Sequence, residues 1–578
     1  MKLSEALSII QKAPADAQPF PVLLACGFTP LHLENYLAAH LQTALPNRKV
    51  RISTGLYDNL PGTLEQFDPS GAEAVAIVIE WSDLDPRLGY RKLGGWGQRV
   101  AANTLETTEA TLARLEAAIS KIPAFVKVAL VLPSLPLTPA FHTSGWQASD
   151  AEIALREFVT AFARRLLSHP SVLLLNEQRL NERSNPAERY DLRADLYSGF
   201  PYTLKHADAL GEALAALIAS PQSKKGLITD LDDTLWLGLV GEDGHDSVAW
   251  DLASHAQLHG LYQQMLHALA DQGVLIAIAS KNSPEVVERA LARTDLLLAR
   301  EKVFPVEVHW EAKSGSVERI LKTWNIGADS VVFVDDNRME LEEVRAVFPD
   351  MECILFPKDY AAGLAMLHRL RDLFGKPRLA DEDAYRLATI KQNRQIAESA
   401  RDGEFADQFL SMAEAVITVE LNPPATDRRV VELVNKTNQF NLNGIRYTEA
   451  EWRQKLQDPD RFVLAVSYQD KFGPLGKVAV LAGARSAGRL RIDTWVMSCR
   501  AFSRRIEHQS LAQLFQCFEL QDITFDFMST ARNGPMRDFL GSLLEQPDLA
   551  LTRQAFLAKS PKLYHEVIGN MDTIEQLR

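Results

Sequence analysis

Short apolar runs alternating with stretches of helical periodicity fill the first two thirds of the chain. VLLACG (22–27), AVAIVIEW (74–81), VKVALVLP (126–133) and VLLLNE (172–177) read as buried strands, and 104–121 and 151–167 between them read as helices. Strand and helix in turn predict an α/β segment with a parallel sheet covered by helices. A helix over 206–219 leads into PQSKKG, a polar joint that closes a first domain, 1–220. A second strand–helix series occupies 221–375, with LITDLDD, VLIAIASK, VFPVEVHW and SVVFVDDN as its strands. The polar stretch 376–410 reads as exposed linking helices. The last domain, 411–578, carries strand-like AVITVEL, FVLAVSYQD, KVAVLAGAR and LRIDTWVMS before a helix-rich end. Three domains and a helical linker are therefore expected.

Composition narrows the function classes. A length of 578 residues exceeds a single core, and 46% apolar with 24% charged residues is the balance of a soluble globular protein. The net charge of −13 disfavours a nucleic-acid partner. The opening MKLSEALSIIQKAPADAQPF lacks the apolar core of a signal peptide, and no apolar run is long enough to span a membrane. Cys26, Cys353, Cys499 and Cys517 lie far apart with no CxxC pair, so neither a disulfide framework nor a structural zinc site is expected. A cytoplasmic location fits.

The chemistry concentrates in the second domain. LITDLDDTLW sets Asp230, Asp232 and Thr234 just beyond a strand, at the sheet edge where α/β ligand sites form. Two carboxyl groups two residues apart divide labour: one attacks phosphorus, the other gives a proton to the leaving oxygen and later activates water. Ser280 ends the next strand, suited to hold a phosphoryl oxygen, with Lys281 and Asn282 behind it. Lys313 supplies positive charge for phosphate, and VVFVDDN sets Asp335 and Asp336 after a further strand. Few carboxylates, with water and phosphate oxygens to complete the shell, suit Mg2+.

In that order, DxDxT, a strand-end Ser, Lys and a strand-end Asp-Asp resemble the phosphatases of the haloacid dehalogenase superfamily. The resemblance implies a Rossmann-like parallel sheet, an aspartyl-phosphate on Asp230, and Asp232 as general acid and base. It implies phosphoryl binding by Thr234, Ser280, Lys281, Asn282 and Lys313. Mg2+ would be held by Asp230, the backbone carbonyl of Asp232 and Asp335, with Asp336 as the alternative to Asp335. DLDDTLWLGLVGEDG, IASKNSPE, HWEAKSGSVERI and FVDDNRMELEEVR are similar to the FkbH-like proteins of subclass IIIC. That likeness implies a phosphorylated, glycerate-type acyl substrate and an acyl carrier protein as partner, in the synthesis of methoxymalonyl-type extender units. Between the first two motifs there is no stretch large enough for a cap domain, an openness that a protein-borne substrate needs. No Cys lies between 220 and 350, so the phosphoryl half of such chemistry is better founded than a thioester half.

The outer domains resemble those of long FkbH-like chains. The first is similar to SGNH hydrolases, an α/β fold, yet Cys26-Gly27-Phe28-Thr29 replaces the Ser nucleophile. Cys26 reads as a buried strand-end hydrophobe and Thr29 as a helix cap. Asp195 and His206 stand at the wrong separation for the Asp-x-x-His pair. Glu80, Trp81, Asp83, Asp85 and Arg87 cluster after a strand, as a ligand edge or a solvated loop. The last domain resembles the α+β acetyltransferase (GNAT) fold, but AFSRRIEHQS puts Arg504 and Arg505 where a Gly-rich pyrophosphate turn is expected. Those arginines read equally as a phosphate site and as a solvated helix start. Cys499 is a candidate acyl-carrying thiol, with a buried strand cysteine as the alternative. The expected function is an Mg2+-dependent phosphatase or phosphotransferase. The competing expectations are a carrier-protein-binding scaffold and acyl transfer through a thiol.

Overall fold

The computed structural model describes residues 1–96, 98–139, 143–379, 386–388, 390–391, 410–471, 473–486, 488–498, 501–502, 504–518, 520–530, 533–544 and 549–569, without the side chains of 98–99 and 449–450. The chain divides into two compact units, Met1–Pro221 and Gln222–Arg578.

In the first unit the element order is α1 (Leu3–Gln11), β1 (Pro19–Ala25), α2 (Leu31–Ala44), β2 (Lys49–Thr54), α3 (Leu60–Glu65), β3 (Ala74–Val78), α4 (Trp81–Leu84) and α5 (Gln98–Ser120). It continues with β4 (Lys127–Val131), α6 (Asp150–Leu166), β5 (Val172–Leu174), α7 (Glu177–Arg183), α8 (Leu192–Ser198) and α9 (Leu204–Ile218). The five strands form a parallel sheet in the order β2-β1-β3-β4-β5. β3 is buried along its whole length because both faces are covered. Ala74, Ala76 and Val78 pack with Leu37 and Leu210 on one side, whereas Val75 and Ile77 pack with Leu115 and Phe162 on the other. That two-sided burial is why the strand reads as an unbroken apolar run. β2 escaped the sequence pattern: Lys49, Arg51 and Ser53 give it a polar face suited to an edge.

The second unit begins with β6 (Gly226–Thr229), α10 (Val240–Asp243), α11 (Gln257–Asp271), β7 (Leu275–Ser280), α12 (Pro284–Leu291), β8 (Val303–Val308) and α13 (Lys313–Trp324). β9 (Val331–Asp335), α14 (Arg338–Val347), β10 (Glu352–Leu355) and α15 (Tyr360–Phe374) follow. These strands make a parallel sheet ordered β10-β9-β6-β7-β8. Leu227, Val332 and Val334 face one core layer; Ile228, Val331 and Phe333 face the other. From β6 the chain builds outward through β7 and β8, then returns to place β9 on the opposite side of β6. Such a switch point opens a crevice beyond the strand ends. Between β6 and β7 only the one-turn α10 and α11 intervene, so no cap domain stands there.

Further along is an eight-stranded, mainly antiparallel sheet of β11 (Val416–Leu421), β12 (Phe440–Asn441), β13 (Arg461–Asp470), β14 (Gly473–Ser486), β15 (Arg489–Met497), β16 (Asp522–Phe525), β17 (Ala550–Thr552) and β18 (Glu566–Gly569). β15–β16 and β11–β18 are its parallel pairs. The expected helix-rich end is thus half right: helices Ile506–Cys517, Gly534–Leu543 and Arg553–Lys559 alternate with β16, β17 and β18. Most of 376–410 lies outside the described residues; within it Ile390 is buried against the Val317–Trp324 layer rather than exposed. Among the described residues no helix is long and apolar enough to cross a membrane.

Candidate active site

Four adjacent segments meet at the β6–β9 switch point. Asp230 directly follows β6, and its backbone N–H continues the parallel ladder by donating to Val334 O at 3.0 Å. The chain then turns sharply: Leu235 N donates to Leu231 O at 2.7 Å, and Asp233 takes a left-handed conformation at φ +50°. Thr234 is fully buried in this turn, and its hydroxyl accepts the N–H of Asp336 at 3.1 Å. It ties the β6 and β9 termini together and does not present its hydroxyl to the crevice. Ser280 ends β7, 4% exposed, with its hydroxyl near enough to the Asp230 carboxyl to favour its ionised form.

Lys313, the first residue of α13, stands at the centre. Its Nζ lies 2.9 Å from Asp230 Oδ1, 2.5 Å from Asp335 Oδ2 and 2.5 Å from Glu340 Oε2, and the side chain is 2% exposed. Burial opposes its charge more than any single neighbour favours it, but the three carboxylates together push the ammonium pKa well up. For Asp335 burial is again the largest influence; the charge of Asp230 adds to it, Lys313 opposes, and the carboxyl is pushed up to about 7. Burial also raises Asp230 against the pull of Lys313, and raises Asp336, which feels the charges of Asp230 and Asp233 as well.

Lys281 and Asn282 do not join Ser280 on one ligand. Lys281 Nζ pairs with Glu340 Oε1 at 3.1 Å, whereas Asn282 Nδ2 donates to Asp232 Oδ2 at 2.9 Å. The Asp232 carboxylate also accepts from Trp236 Nε1 at 2.9 Å and from Val240 N at 3.1 Å. Its side chain is thus tied to the 236–240 turn and to Asn282, and is not among the three carboxylates that group together.

The residues fit a hard divalent cation. Asp230, Asp335 and Glu340 bring one oxygen each within 4.8 Å of one another. Buried Asp230 Oδ1 accepts no hydrogen bond despite its closeness to Lys313. Asp230, Asp335, Asp336 and Glu340 carry more negative charge than Lys313 and Lys281 neutralise, and an all-oxygen donor set suits Mg2+. Asp336, half-buried beside them, is not part of the close trio among the described residues. Glu340 was missed by sequence reasoning. Its signal was a carboxylate in the first turn of the helix that starts where β9 ends.

The outer candidates resolve differently. Cys26 is 3% exposed, donates to Phe28 O at 3.3 Å, and burial with the charge of Asp83 pushes its thiol up, so it is an inert core residue. Thr29 does not cap α2; the cap position is Pro30, with no side-chain bond. Asp195 accepts from Tyr190 OH at 2.8 Å, while fully buried His206 bonds Ser134 at 3.1 Å and Ser184 at 2.9 Å, so the two form no dyad. The Glu80–Arg87 cluster is no solvated loop. Glu80 is buried and accepts from Tyr202 OH and Ser134 Oγ, both at 2.7 Å, and Asp85 is buried on Arg87. Beside it Trp81, Asp83, Tyr90 and Tyr190 line a cavity of about 300 Å³. In the last segment Arg504 is 1% exposed, lying 3.6 Å from Asp470 and over the Tyr468 ring, which fits neither a phosphate site nor a solvated helix start. Arg505 donates to Lys562 O at 2.7 Å. Cys499 lies outside the described residues.

No family model and no curated protein matches the chain. Among solved structures, it is similar to the N-terminal part of BF1531 from Bacteroides fragilis, which contains a phosphatase domain complexed with Mg. The identity is 19%, over 65% of this chain and 100% of that one, with a TM-score of 0.50. An extracellular lipase from Streptomyces rimosus aligns at 13% identity over 34% of this chain and 98% of its own, but with a TM-score of only 0.25. What the first likeness shows is fold: a mixed α/β chain with parallel sheets, built as in a phosphatase domain.

Proposed function

We propose that the chain is an Mg2+-dependent phosphatase or phosphotransferase that works through an aspartyl-phosphate on Asp230. The observation that carries this is the convergence of Asp230, Ser280, Lys313 and Asp335 from separate segments onto one crevice, with Asp232 two residues beyond the nucleophile. Asp230 attacks phosphorus: its P–O bond forms as the ester P–O bond breaks, and the leaving oxygen takes the Asp232 proton. Asp232 then accepts a proton from water, whose oxygen attacks phosphorus and releases Asp230. Lys313 and Ser280 hold Asp230 in place and face the charge that develops on the phosphoryl oxygens. Asp230, Asp335, Glu340 and the Asp232 carbonyl would hold Mg2+, whose charge offsets that of the phosphoryl group.

The substrate class, a phosphorylated glycerate-type acyl precursor used with an acyl carrier protein in the cytoplasm, rests on the FkbH-like motifs. So does the division into an SGNH-like domain, a phosphatase domain and a GNAT-like domain. A second reading, a carrier-protein scaffold with inert outer domains, is favoured by the buried Cys26 and the buried Arg504–Asp470 pair. Acyl transfer through Cys499 remains a separate proposal, tested by a Cys499→Ala variant and a mass-spectrometric search for an acyl adduct. Purified protein with Mg2+ should cleave a generic phosphate monoester, and Asp230→Asn should abolish cleavage. Wild-type rates in that variant would refute the mechanism.

A further inference from the structure

The Asp232 carboxylate accepts three hydrogen bonds, and its two oxygens are engaged unequally. Oδ1 accepts two donors, the Trp236 indole N–H at 2.9 Å and the Val240 backbone N–H at 3.1 Å. Oδ2 accepts one, the Asn282 amide at 2.9 Å. Two N–H donors use both lone pairs of Oδ1, so a proton on this carboxyl group belongs on Oδ2. Asn282, 3% exposed, is the side chain that fixes where Oδ2 points.

The surroundings are shaped to keep it there. Gly241 follows Val240 in α10, and a Cβ at Gly241 would come within 3.2 Å of Asn282 Oδ1. Trp236 is fully buried, so the donors on Oδ1 are as fixed as the one on Oδ2. The β7 terminus thus borders both carboxyl groups of the DxD pair: Ser280 lies near Asp230 and Asn282 donates to Asp232, with Lys281 between them turned to Glu340.

We propose that Asn282 is a positioning residue that aims the Oδ2 proton of Asp232 at the leaving-group oxygen, and is not a ligand of the phosphoryl group. This rests on the phosphatase reading above. In the step concerned, the ester P–O bond breaks, its electron pair stays on the leaving oxygen, and that oxygen takes the proton from Oδ2. Asp232 is left ionised, with Trp236, Val240 and Asn282 still donating to it.

The dependence on leaving group tests the assignment. An alkyl phosphate needs a proton on its departing oxygen; 2,4-dinitrophenyl phosphate does not. In Asn282→Ala, kcat/KM, which reports the steps through leaving-group departure, should fall about 10²-fold for the alkyl ester and less than about threefold for the dinitrophenyl ester. In an Asp232→Asn background the same change should cause no further loss. Ser280→Ala, which touches the nucleophile, should lower both esters alike. Should Asn282→Ala lose its circular-dichroism signature, Asn282→Leu, which is close in shape and carries neither donor nor charge, should show the same selectivity. Equal losses on both esters, or additive loss in the Asp232→Asn background, would overturn the role of Asn282 alone. A wild-type protein that cleaves neither ester in Mg2+ would overturn the phosphatase reading instead.

Discussion

Lys313 Nζ lies 2.5 Å from Asp335 Oδ2, with the two side chains 2% and 0% exposed. Asp230 and Glu340 converge on the same ammonium, so a single positive charge holds three carboxylates together. Removing it leaves buried Asp230 and Asp335 facing one another, with Lys281 still paired to Glu340. Lys313→Met should destabilise the second unit by about 3–5 kcal/mol, read by denaturant unfolding. Phosphate-ester hydrolysis should fall by at least about 10²-fold.

Glu340 contributes an oxygen to the trio and anchors both lysines. Glu340→Gln keeps its shape but halves its acceptor capacity and removes its charge. The Mg2+ concentration giving half-maximal hydrolysis should rise about tenfold or more. Titrating activity against Mg2+ checks this; an unchanged half-saturation point would exclude Glu340 from the metal's surroundings.

The first unit carries two oppositely perturbed groups. Burial is the largest cause of Asp83 rising from 3.8 to about 8, with Glu80 and Asp58 adding their charges. Its pKa is raised on folding, so the stability it contributes is complete below 3.8 and lost as pH climbs towards 8. Burial, then Arg189, pushes His206 from 6.5 down to about 3, so its contribution is complete above 6.5 and lost as pH falls towards 3. Each slope is at most about 1.4 kcal/mol per pH unit, and the two oppose each other between pH 3.8 and 6.5. Denaturant unfolding should therefore show a decline in stability from pH 6.5 to 8 that Asp83→Asn reduces.

Cys26 is buried and its thiol is held in the protonated form. Iodoacetamide should leave it unmodified in the native chain and label it after denaturation, as read by peptide mass spectrometry. Cys26→Ala should leave phosphate-ester hydrolysis unchanged. Rapid native labelling would contradict the buried placement.

How much of this was legible in the sequence depends on where the information resides. β6, β7 and β9 were readable because strands covered on both faces must be continuously apolar, and the polar residues ending them must lie at the sheet edge. Asp230, Ser280 and Asp335 inherit their placement from that. β2 and β10 were not readable, being edge strands with mixed faces. Glu340 depends on the angle at which α14 leaves β9, and the separate destinations of Ser280, Lys281 and Asn282 depend on side-chain directions at one strand end. Neither has a period. Arg504 looked surface-bound by residue type, and only the fold brings Asp470 and Tyr468 to it.

The strand order has a consequence for the chain during synthesis. β9 pairs with β6, and the Thr234–Asp336 bond between their ends spans 102 residues. A chain emerging from the ribosome exposes one edge of β6, the strand that ends at Asp230, until β9 arrives. Before then Lys313 has neither Asp335 nor Glu340 to hold it. Ester cleavage should therefore switch on abruptly with chain length, only after α14 has been made.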